Sequence, residues 1–146
     1  MKECEMPLEE FDSICEKNAK IIVSQDKGAR SPKHIANNKS KNSVTHYRID
    51  GVVITQGKRC DFLLMNEDKK VAYLIELKGS DLCHAAEQLE ATASVLVPQL
   101  ANYKLQYRIV YKTSRTHQIE SSKFKRYKNQ WGTALKQKSI QLEEDI

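Results

Sequence analysis

Long apolar runs are missing from this sequence of 146 residues, which also has only 5 glycines and 3 prolines. A membrane-spanning helix needs about 20 consecutive apolar residues, so we predict no such helix and no membrane partner. The acidic, cysteine-containing N-terminus lacks the basic and apolar regions of a signal peptide, and we therefore expect a cytoplasmic protein. The length fits a single domain that covers residues 1–146.

Cysteine and histidine sets with zinc-ligand spacing are also missing; Cys83 and His84 are adjacent, but neighbours in sequence on a helix diverge. None of the cysteines forms a Cys-x-x-Cys pair, so a disulfide framework or zinc site is not predicted, and we expect buried, reduced thiols. The cysteines are Cys4, Cys15, Cys60 and Cys83. The histidines likewise lack metal-ligand spacing, and we expect surface or loop positions for His34, His46, His84 and His117.

Acidic residues are nearly absent from two long stretches of this chain, whose net charge is +5. Residues 27–48 contain six basic residues and no acidic one, and residues 104–138 contain ten basic residues and only Glu120. Residues 1–16, in contrast, carry six acidic residues and one basic residue. Basic blocks create a positive field that suits a polyanion, although charge alone is equally typical of a solvated surface.

The remaining patterns predict the order helix, three strands, helix, strand, helix. An apolar stripe from Pro7 to about Ala19 predicts the first helix, and the Gly-, Pro-, Asn- and Ser-containing residues 24–43 predict a long basic loop. Strands are predicted over 44–54 (bent near Asp50), 60–66, 71–78 and 103–112, helices over 81–97 and around 124–131, and a short edge strand over 139–143.

These elements predict an α/β fold with a mixed β-sheet flanked by helices. The first three strands can form an antiparallel meander. The helix over 81–97 is long enough to cross the sheet and bring the next strand in parallel. The aromatic stripe of the last helix is more typical of a core than of a base-stacking platform; it consists of Phe124, Tyr127 and Trp131.

Two carboxylates are predicted to meet across the central hairpin. If residues 67–70 form the turn, counting outwards from it places Asp61 opposite Glu76, on one face, with Cβ atoms about 4.5–5.5 Å apart. Lys78 lies two residues beyond Glu76 and faces the same side, whereas a register shift of one residue would move Asp61 to the other face. Neighbouring carboxylates repel each other but suit a divalent cation bridging to a phosphate. The strand end is therefore a predicted metal site, for which Asp50 is a rival ligand more typical of a turn beside glycine.

The combination of Asp61, a hairpin and "LIELKG", which contains Glu76-Leu77-Lys78, resembles the PD-(D/E)xK nuclease superfamily. The resemblance covers about residues 7–113, and its specific part is 60–89. It implies a restriction-endonuclease-like αβββαβ core, as in small single-domain enzymes such as junction resolvases.

Three positions near these residues extend or depart from the family pattern. Cys60 stands where the family name has proline. Gln88 matches a glutamine of some members, either as a residue that supports the metal ligands or as a polar helix position. Thr92 stands where a tyrosine often follows that glutamine.

The resemblance also implies a role for each matched residue. Asp61, Glu76 and the carbonyl of Leu77 would hold Mg²⁺ or Mn²⁺, and Lys78 would orient or help deprotonate the attacking water and stabilise charge on the phosphate. A glutamate from the first helix completes the site in many relatives; here Glu10 is the first candidate, ahead of Glu9 and Glu16.

The implied activity is a metal-dependent endonuclease that cleaves DNA to leave a 5′-phosphate and a 3′-hydroxyl, with RNA left open as a substrate. A homodimer is expected because one small domain has little room to cut two strands. The alternative is a catalytically silent nucleic-acid-binding or regulatory subunit of a larger repair or defence complex. In either case, four cations of the last helix are expected to contact phosphates: Lys123, Lys125, Arg126 and Lys128.

Overall fold

The computed structural model describes residues 7–27, 32–78, 81–112 and 121–146, with Lys78 described by its backbone alone. Within these ranges the strands are Ile21–Gln25 (β1), Lys33–Asn37 (β2), Val44–Arg48 (β3), Phe62–Asn66 (β4), Val71–Lys78 (β5), Lys104–Tyr111 (β6), Leu135–Ser139 (β7) and Gln141–Asp145 (β8). The helices are Leu82–Val95 (α1) and Ser122–Trp131 (α2), and 3₁₀ turns occur at Leu8–Glu10 and Gly132–Ala134.

A five-stranded mixed sheet in the order β3-β4-β5-β6-β7 forms the centre of the fold. β3, β4 and β5 pair antiparallel, whereas β6 pairs parallel with β5, and β7 parallel with β6. α1 connects β5 to β6, and its N-cap Asp81 accepts a hydrogen bond from the backbone N–H of His84 at 2.9 Å. The predicted meander, the crossing helix and the parallel return are confirmed, as is the mixed α/β class.

A second, three-stranded sheet in the order β1-β2-β8 is a feature that the sequence patterns did not predict. The loop predicted over 24–43 was wrong, because β2 lies inside it and pairs with both β1 and β8. Alternate residues of β2 are buried, but one of them is His34, whose Nε2 lies 2.7 Å from Glu144 Oε2 on β8. The edge strand predicted over 139–143 is confirmed in part: β8 lies at an edge of this sheet but begins at Gln141, after Ile140, whose φ is +67°.

The helix predicted from Pro7 to about Ala19 was also wrong. Within residues 7–27 the structure has one 3₁₀ turn and then a segment that lies beside β3. There the backbone N–H of Ile14 donates to the His46 carbonyl, and that of Val44 donates to the Lys17 carbonyl, each at 2.7 Å. These bonds to a sheet edge replace the hydrogen bonds that a helix would make internally.

The five-stranded sheet is covered on both faces, and a separate apolar core fills each interface. The core under the helices includes Leu63, Met65, Leu74, Leu82, Leu89 and Phe124. The core between the two sheets includes Ile22, Phe62, Leu64, Ile75, Val110 and Leu142.

The aromatic residues of α2 belong to the core under the helices. Phe124 is fully buried, and the partly buried rings of Tyr127 and Trp131 pack against the same cluster. The Trp131 ring stacks on Tyr107 with centroids 4.0 Å apart. The predicted core role of this stripe is confirmed. Neither helix of the described ranges has the length and apolar character needed to cross a bilayer.

Candidate metal centre

The β4–β5 hairpin brings Asp61 next to the strand that carries Glu76. Asn66 pairs with Val71, as predicted, and the same register continues to Phe62 opposite Ile75. At Asp61 the register changes, because the N–H of Asp61 donates to the carbonyl of Ile75 and does not continue the ladder to Glu76.

Glu76 lies on the side of the sheet that α1 covers. Side chains alternate between the two faces of a strand, and Leu74 of β5 belongs to the core beneath α1, so Glu76, two residues further along β5, faces the same side. Asp61 lies just before β4, next to Cys60 of the same core. The exposed fractions of the two acidic residues are 8% for Asp61 and 1% for Glu76.

Cys60 lies next to both acidic residues. Burial raises the pKa of its thiol; a hydrogen bond with Thr92 opposes that shift, and the negative charges of Glu76 and Asp61 reinforce it. The thiol is free and fully buried, as predicted for the cysteines. Cys15 and Cys83 are free but only partly buried, and Cys4 lies outside the described residues. The neighbourhood of Cys60 is thus one in which negative charge is concentrated and water is excluded.

Asp61, just before β4, forms hydrogen bonds with the chain segments on either side of it. Its carbonyl accepts the N–H of Ile49 at 2.8 Å, and its own N–H donates to the Ile75 carbonyl at 3.1 Å. Its carboxylate Oδ2 accepts the backbone N–H of Leu77 at 2.8 Å. The N–H and C=O of one strand residue point to the same side of the strand. The carbonyl of Leu77 therefore points towards Asp61 as well.

Helix α1 fixes the chain just before Asp61. The hydroxyl of Thr92 accepts the backbone N–H of Cys60 at 2.7 Å and donates to the Gln88 carbonyl at 2.9 Å. Among the described residues, the buried amide oxygen of Gln88 has no hydrogen-bond partner. Thr92, noted in the sequence only as a departure from a family motif, is thus a buried contact between the helix and the candidate metal centre.

The other proposed ligands are placed as follows. Lys78 pairs with Tyr111 through its backbone, and its side chain lies outside the described part of the structure. Glu10 is exposed on a 3₁₀ turn, and Leu8 of that turn donates its N–H to the side chain of Gln99, beyond the end of α1. In the described ranges no group of three or more His, Cys, Asp or Glu side chains could hold a metal ion. The structure thus does not group Glu10 with the Asp61–Glu76 pair, and the same holds for Glu9 and Glu16.

Asp50 occupies a turn, as its sequence neighbours predicted. Gly51 has a φ of +80°, a backbone conformation that favours glycine. The Asp50 carboxylate accepts a hydrogen bond from Arg59 Nε at 2.7 Å, in a partly exposed ion pair. This contact accounts for Asp50 without a metal role.

The expected surface or loop positions were wrong for two histidines. His34 and His46 are 0% and 2% exposed, because they lie between the two sheets. His46 Nε2 lies 2.8 Å from Ser24 Oγ, and burial together with the nearby His34 lowers the pKa of His46 to about 4. His84 is partly buried on α1, and His117 lies outside the described residues. The alternation along β2 was the signal for burial, but a histidine at an alternate position counts as polar in such a pattern.

The Glu144 carboxylate joins His34 and Arg108 into one buried polar group. It accepts hydrogen bonds from Arg108 Nε at 2.6 Å and Nη2 at 3.0 Å, and it also contacts His34. Burial raises the pKa of Glu144, but hydrogen bonds with His34 and Arg108 outweigh that effect and hold the pKa at about 2. The group lies on the face of the sheet opposite Glu76 and links the two sheets.

The basic residues of α2 fall into two sets. Lys125, Arg126 and Lys128 are exposed, whereas Lys123 contacts Glu87 on α1 at 2.5 Å. Part of the basic block over 27–48 lies in β2 and β3, which places some of these cations within the second sheet and along the edge of the first.

No family model, curated protein or solved structure gives a significant match to this chain. The functional argument therefore depends on the geometry alone. Its central observation is a pair of buried carboxylates beside the same buried thiol, with a backbone carbonyl close to one of them. Such a set of oxygen atoms is able to hold a divalent cation.

Proposed function

We propose that this protein is a metal-dependent endonuclease that hydrolyses phosphodiester bonds in DNA. The observation that carries this proposal is the Asp61–Glu76 pair. Both carboxylates are buried and lie near the Cys60 thiol, and Asp61 accepts the backbone N–H of Leu77, the residue that follows Glu76. A buried pair of like charges is costly in a stable fold, and a bound cation would offset that cost.

The strand order supports a restriction-endonuclease-like core. The order β3-β4-β5-α1-β6, with three antiparallel strands, a crossing helix and a parallel strand, corresponds to the βββαβ portion of that core. Asp61 directly precedes the second of these strands, and Glu76 lies near the end of the third. The leading helix of the αβββαβ pattern has no counterpart within residues 7–27, where β1 and a 3₁₀ turn are found.

The residues fit a hard divalent cation, Mg²⁺ or Mn²⁺. Such ions prefer carboxylate and carbonyl oxygens, and Asp61, Glu76 and the Leu77 carbonyl would hold one here. When bound, the ion would lower the pKa of a water molecule and offset charge on the phosphate. The Leu77 N–H keeps Asp61 in position by its hydrogen bond to Oδ2.

The remaining part of the proposed mechanism belongs to Lys78. A lysine two residues beyond Glu76 supplies a positive charge that stabilises the negative charge developing on the phosphate and helps to orient the attacking water. The water oxygen would bond to phosphorus as its proton passes to solvent, and the P–O3′ bond would break. The leaving 3′-oxygen would take a proton from solvent, which leaves a 5′-phosphate and a 3′-hydroxyl.

A cleavage assay tests the proposal. The wild-type protein and Glu76→Gln are incubated with single-stranded, duplex and branched DNA and with RNA, in Mg²⁺, Mn²⁺ or EDTA. We expect the wild type to cut DNA only with metal and Glu76→Gln to be inactive. Size-exclusion profiles with and without DNA test the expected homodimer.

A binding measurement separates catalysis from binding without catalysis. Binding in EDTA, combined with an absence of cleavage under every metal condition, would instead support a silent nucleic-acid-binding subunit. A metal-dependent rise in melting temperature provides a second readout, because a ligand that binds the native state stabilises it by about 2.7 kcal/mol at a hundredfold excess over its Kd. This rise should be absent in Glu76→Gln, and a gross destabilisation of that variant would make Glu76 a structural residue.

A further inference from the structure

Glu87 on α1 holds two lysines that come from different parts of the chain. Lys58 Nζ lies 3.0 Å from Glu87 Oε2, and Lys123 Nζ lies 2.5 Å from Glu87 Oε1. Lys58 belongs to the segment that leads into β4, and Lys123 to the first turn of α2. Each carboxylate oxygen is thus bonded to a different ammonium group.

This bridge lies near the candidate metal centre. Lys58 is two residues before Cys60, whose N–H binds Thr92. Glu87 is adjacent to Gln88, whose carbonyl accepts the Thr92 hydroxyl. The contact that fixes the chain before Asp61 and the lysine bridge therefore belong to the same stretch of α1.

We propose that Lys58 and Lys123 bind one phosphate of a nucleic-acid backbone and that Glu87 takes the place of this phosphate in the free protein. Two ammonium groups on the two oxygens of one carboxylate match the two non-bridging oxygens of a phosphodiester. This inference depends on the proposed nucleic-acid substrate and identifies residues that would hold it beside the metal centre.

A phosphate can replace the Glu87 carboxylate as the partner of the two lysines with little rearrangement of their side chains. The side chains of Lys58 and Lys123 are 58% and 53% exposed, so the two ammonium groups remain open to a ligand. Exposed ion pairs contribute about 0–1 kcal/mol, and a phosphate can therefore displace the carboxylate.

Near neutral pH the Glu87 carboxylate competes with a phosphate for the two lysines. Hydrogen bonds from Lys123 and Lys58 hold the pKa of Glu87 at about 2. The carboxylate therefore stays ionised near neutral pH and occupies the two lysines whenever no phosphate is present. Removing its charge should make both lysines available.

The test compares Glu87→Gln with Glu90→Gln by fluorescence anisotropy on labelled duplex DNA in EDTA, over a series of salt concentrations. Glu90 is exposed on the same helix, and its Oε1 lies 3.4 Å from the Tyr127 hydroxyl. Both substitutions raise the net charge by one, so Glu90→Gln controls for charge alone. We expect Glu87→Gln to bind several-fold more tightly than the control at low salt. Its slope of log K against log salt should be steeper by up to about 0.9 for each additional phosphate that the protein neutralises.

Replacing Lys58 or Lys123 by Met in the Glu87→Gln protein should abolish this increase in affinity. Equal affinities for Glu87→Gln and Glu90→Gln, or an increase that survives both lysine substitutions, would overturn the inference. Because binding in EDTA needs no metal, these results are independent of cleavage. Cleavage without any difference between the two glutamate variants would refute this inference alone, whereas tight binding without cleavage would refute the nuclease proposal alone.

Discussion

The Thr92 hydroxyl and the Cys60 backbone N–H form a 2.7 Å hydrogen bond, and both residues are 0% exposed. This bond joins the last turn of α1 to the residue just before Asp61. The position of the Asp61 carboxylate therefore depends on a helix that carries none of the proposed metal ligands.

Thr92→Val should destabilise the protein. Valine keeps the shape of threonine but leaves the buried N–H of Cys60 without its acceptor, at a cost of about 1–3 kcal/mol. Urea unfolding measures this loss, and Thr92→Ser, which keeps a hydroxyl, should recover much of it. A valine variant as stable as the wild type would show that the bond contributes nothing to the fold.

Removing the charge of Asp61 and removing its hydrogen bond to Leu77 should have different effects on the protein. Asp61→Asn keeps an oxygen that accepts the Leu77 N–H, so it should fold like the wild type and lose cleavage. Asp61→Ala also loses the hydrogen bond and should be less stable by about 1–3 kcal/mol. Thermal unfolding and the cleavage assay measure the two effects. Full activity of the asparagine variant would remove Asp61 from the proposed metal centre.

His46 should make the protein sensitive to mild acid. Its pKa is about 4 in the folded protein, against an ordinary value of 6.5. The unfolded chain therefore binds a proton that the native protein does not, and stability is fully present above pH 6.5 and falls as the pH drops towards 4. The total loss is about 3 kcal/mol, since one pKa unit corresponds to about 1.36 kcal/mol.

Unfolding free energies measured between pH 7 and pH 4.5 check this expectation. His46→Gln should flatten the pH dependence, whereas His84→Gln, on the helix side of the sheet, should not. Glu144 does not interfere, because its folded pKa is about 2 and its ordinary value 4.5, so its stabilising contribution is present above pH 4.5 and lost only below it. An unaltered profile in His46→Gln would assign the acid sensitivity to other groups.

The exposed cations of α2 should bind the nucleic-acid backbone without reading its sequence. The double variant Lys125→Gln/Lys128→Gln should bind all duplexes more weakly, with a salt slope reduced by up to about 0.9 for each phosphate that is no longer neutralised. Lys69→Gln/Lys104→Gln is the matched control, because these exposed lysines lie at the hairpin end of the sheet, away from Asp61. Anisotropy at several salt concentrations measures both. Equal slopes in the two double variants would show that the α2 lysines only solvate the helix.

The central hairpin could be predicted from the sequence because the residues that determine it are close together along the chain. The apolar run at the start of β5 and the charged turn before it define the register, which is observed from Asn66 opposite Val71 onwards. The paired register ends at Phe62 opposite Ile75; Asp61 instead donates its N–H to the Ile75 carbonyl, a departure that the local pattern did not predict. The remaining position in the proposed centre, the side chain of Lys78, lies outside the described residues and stays a prediction.

The second sheet could not be predicted because the residues that stabilise it are far apart in the sequence. β2 buries His34, and the partner that makes this burial acceptable is Glu144, 110 residues away. The helix predicted from the N-terminal apolar stripe was wrong for a similar reason. Ile14, expected to be buried on a helix, is 58% exposed, because its backbone hydrogen-bonds to β3. In both cases tertiary contacts overrode a local pattern.

The pairing of β2 with β8 has a kinetic consequence. The β4–β5 hairpin joins neighbouring segments, whereas the β2–β8 ladder closes a loop of more than a hundred residues. Contacts of such long range form slowly, because the entropy of loop closure is lost before they contribute. On the ribosome, β1 and β2 are synthesised early but cannot complete their sheet until β8 has emerged. We therefore expect the central sheet to form first and the three-stranded sheet to close over it last.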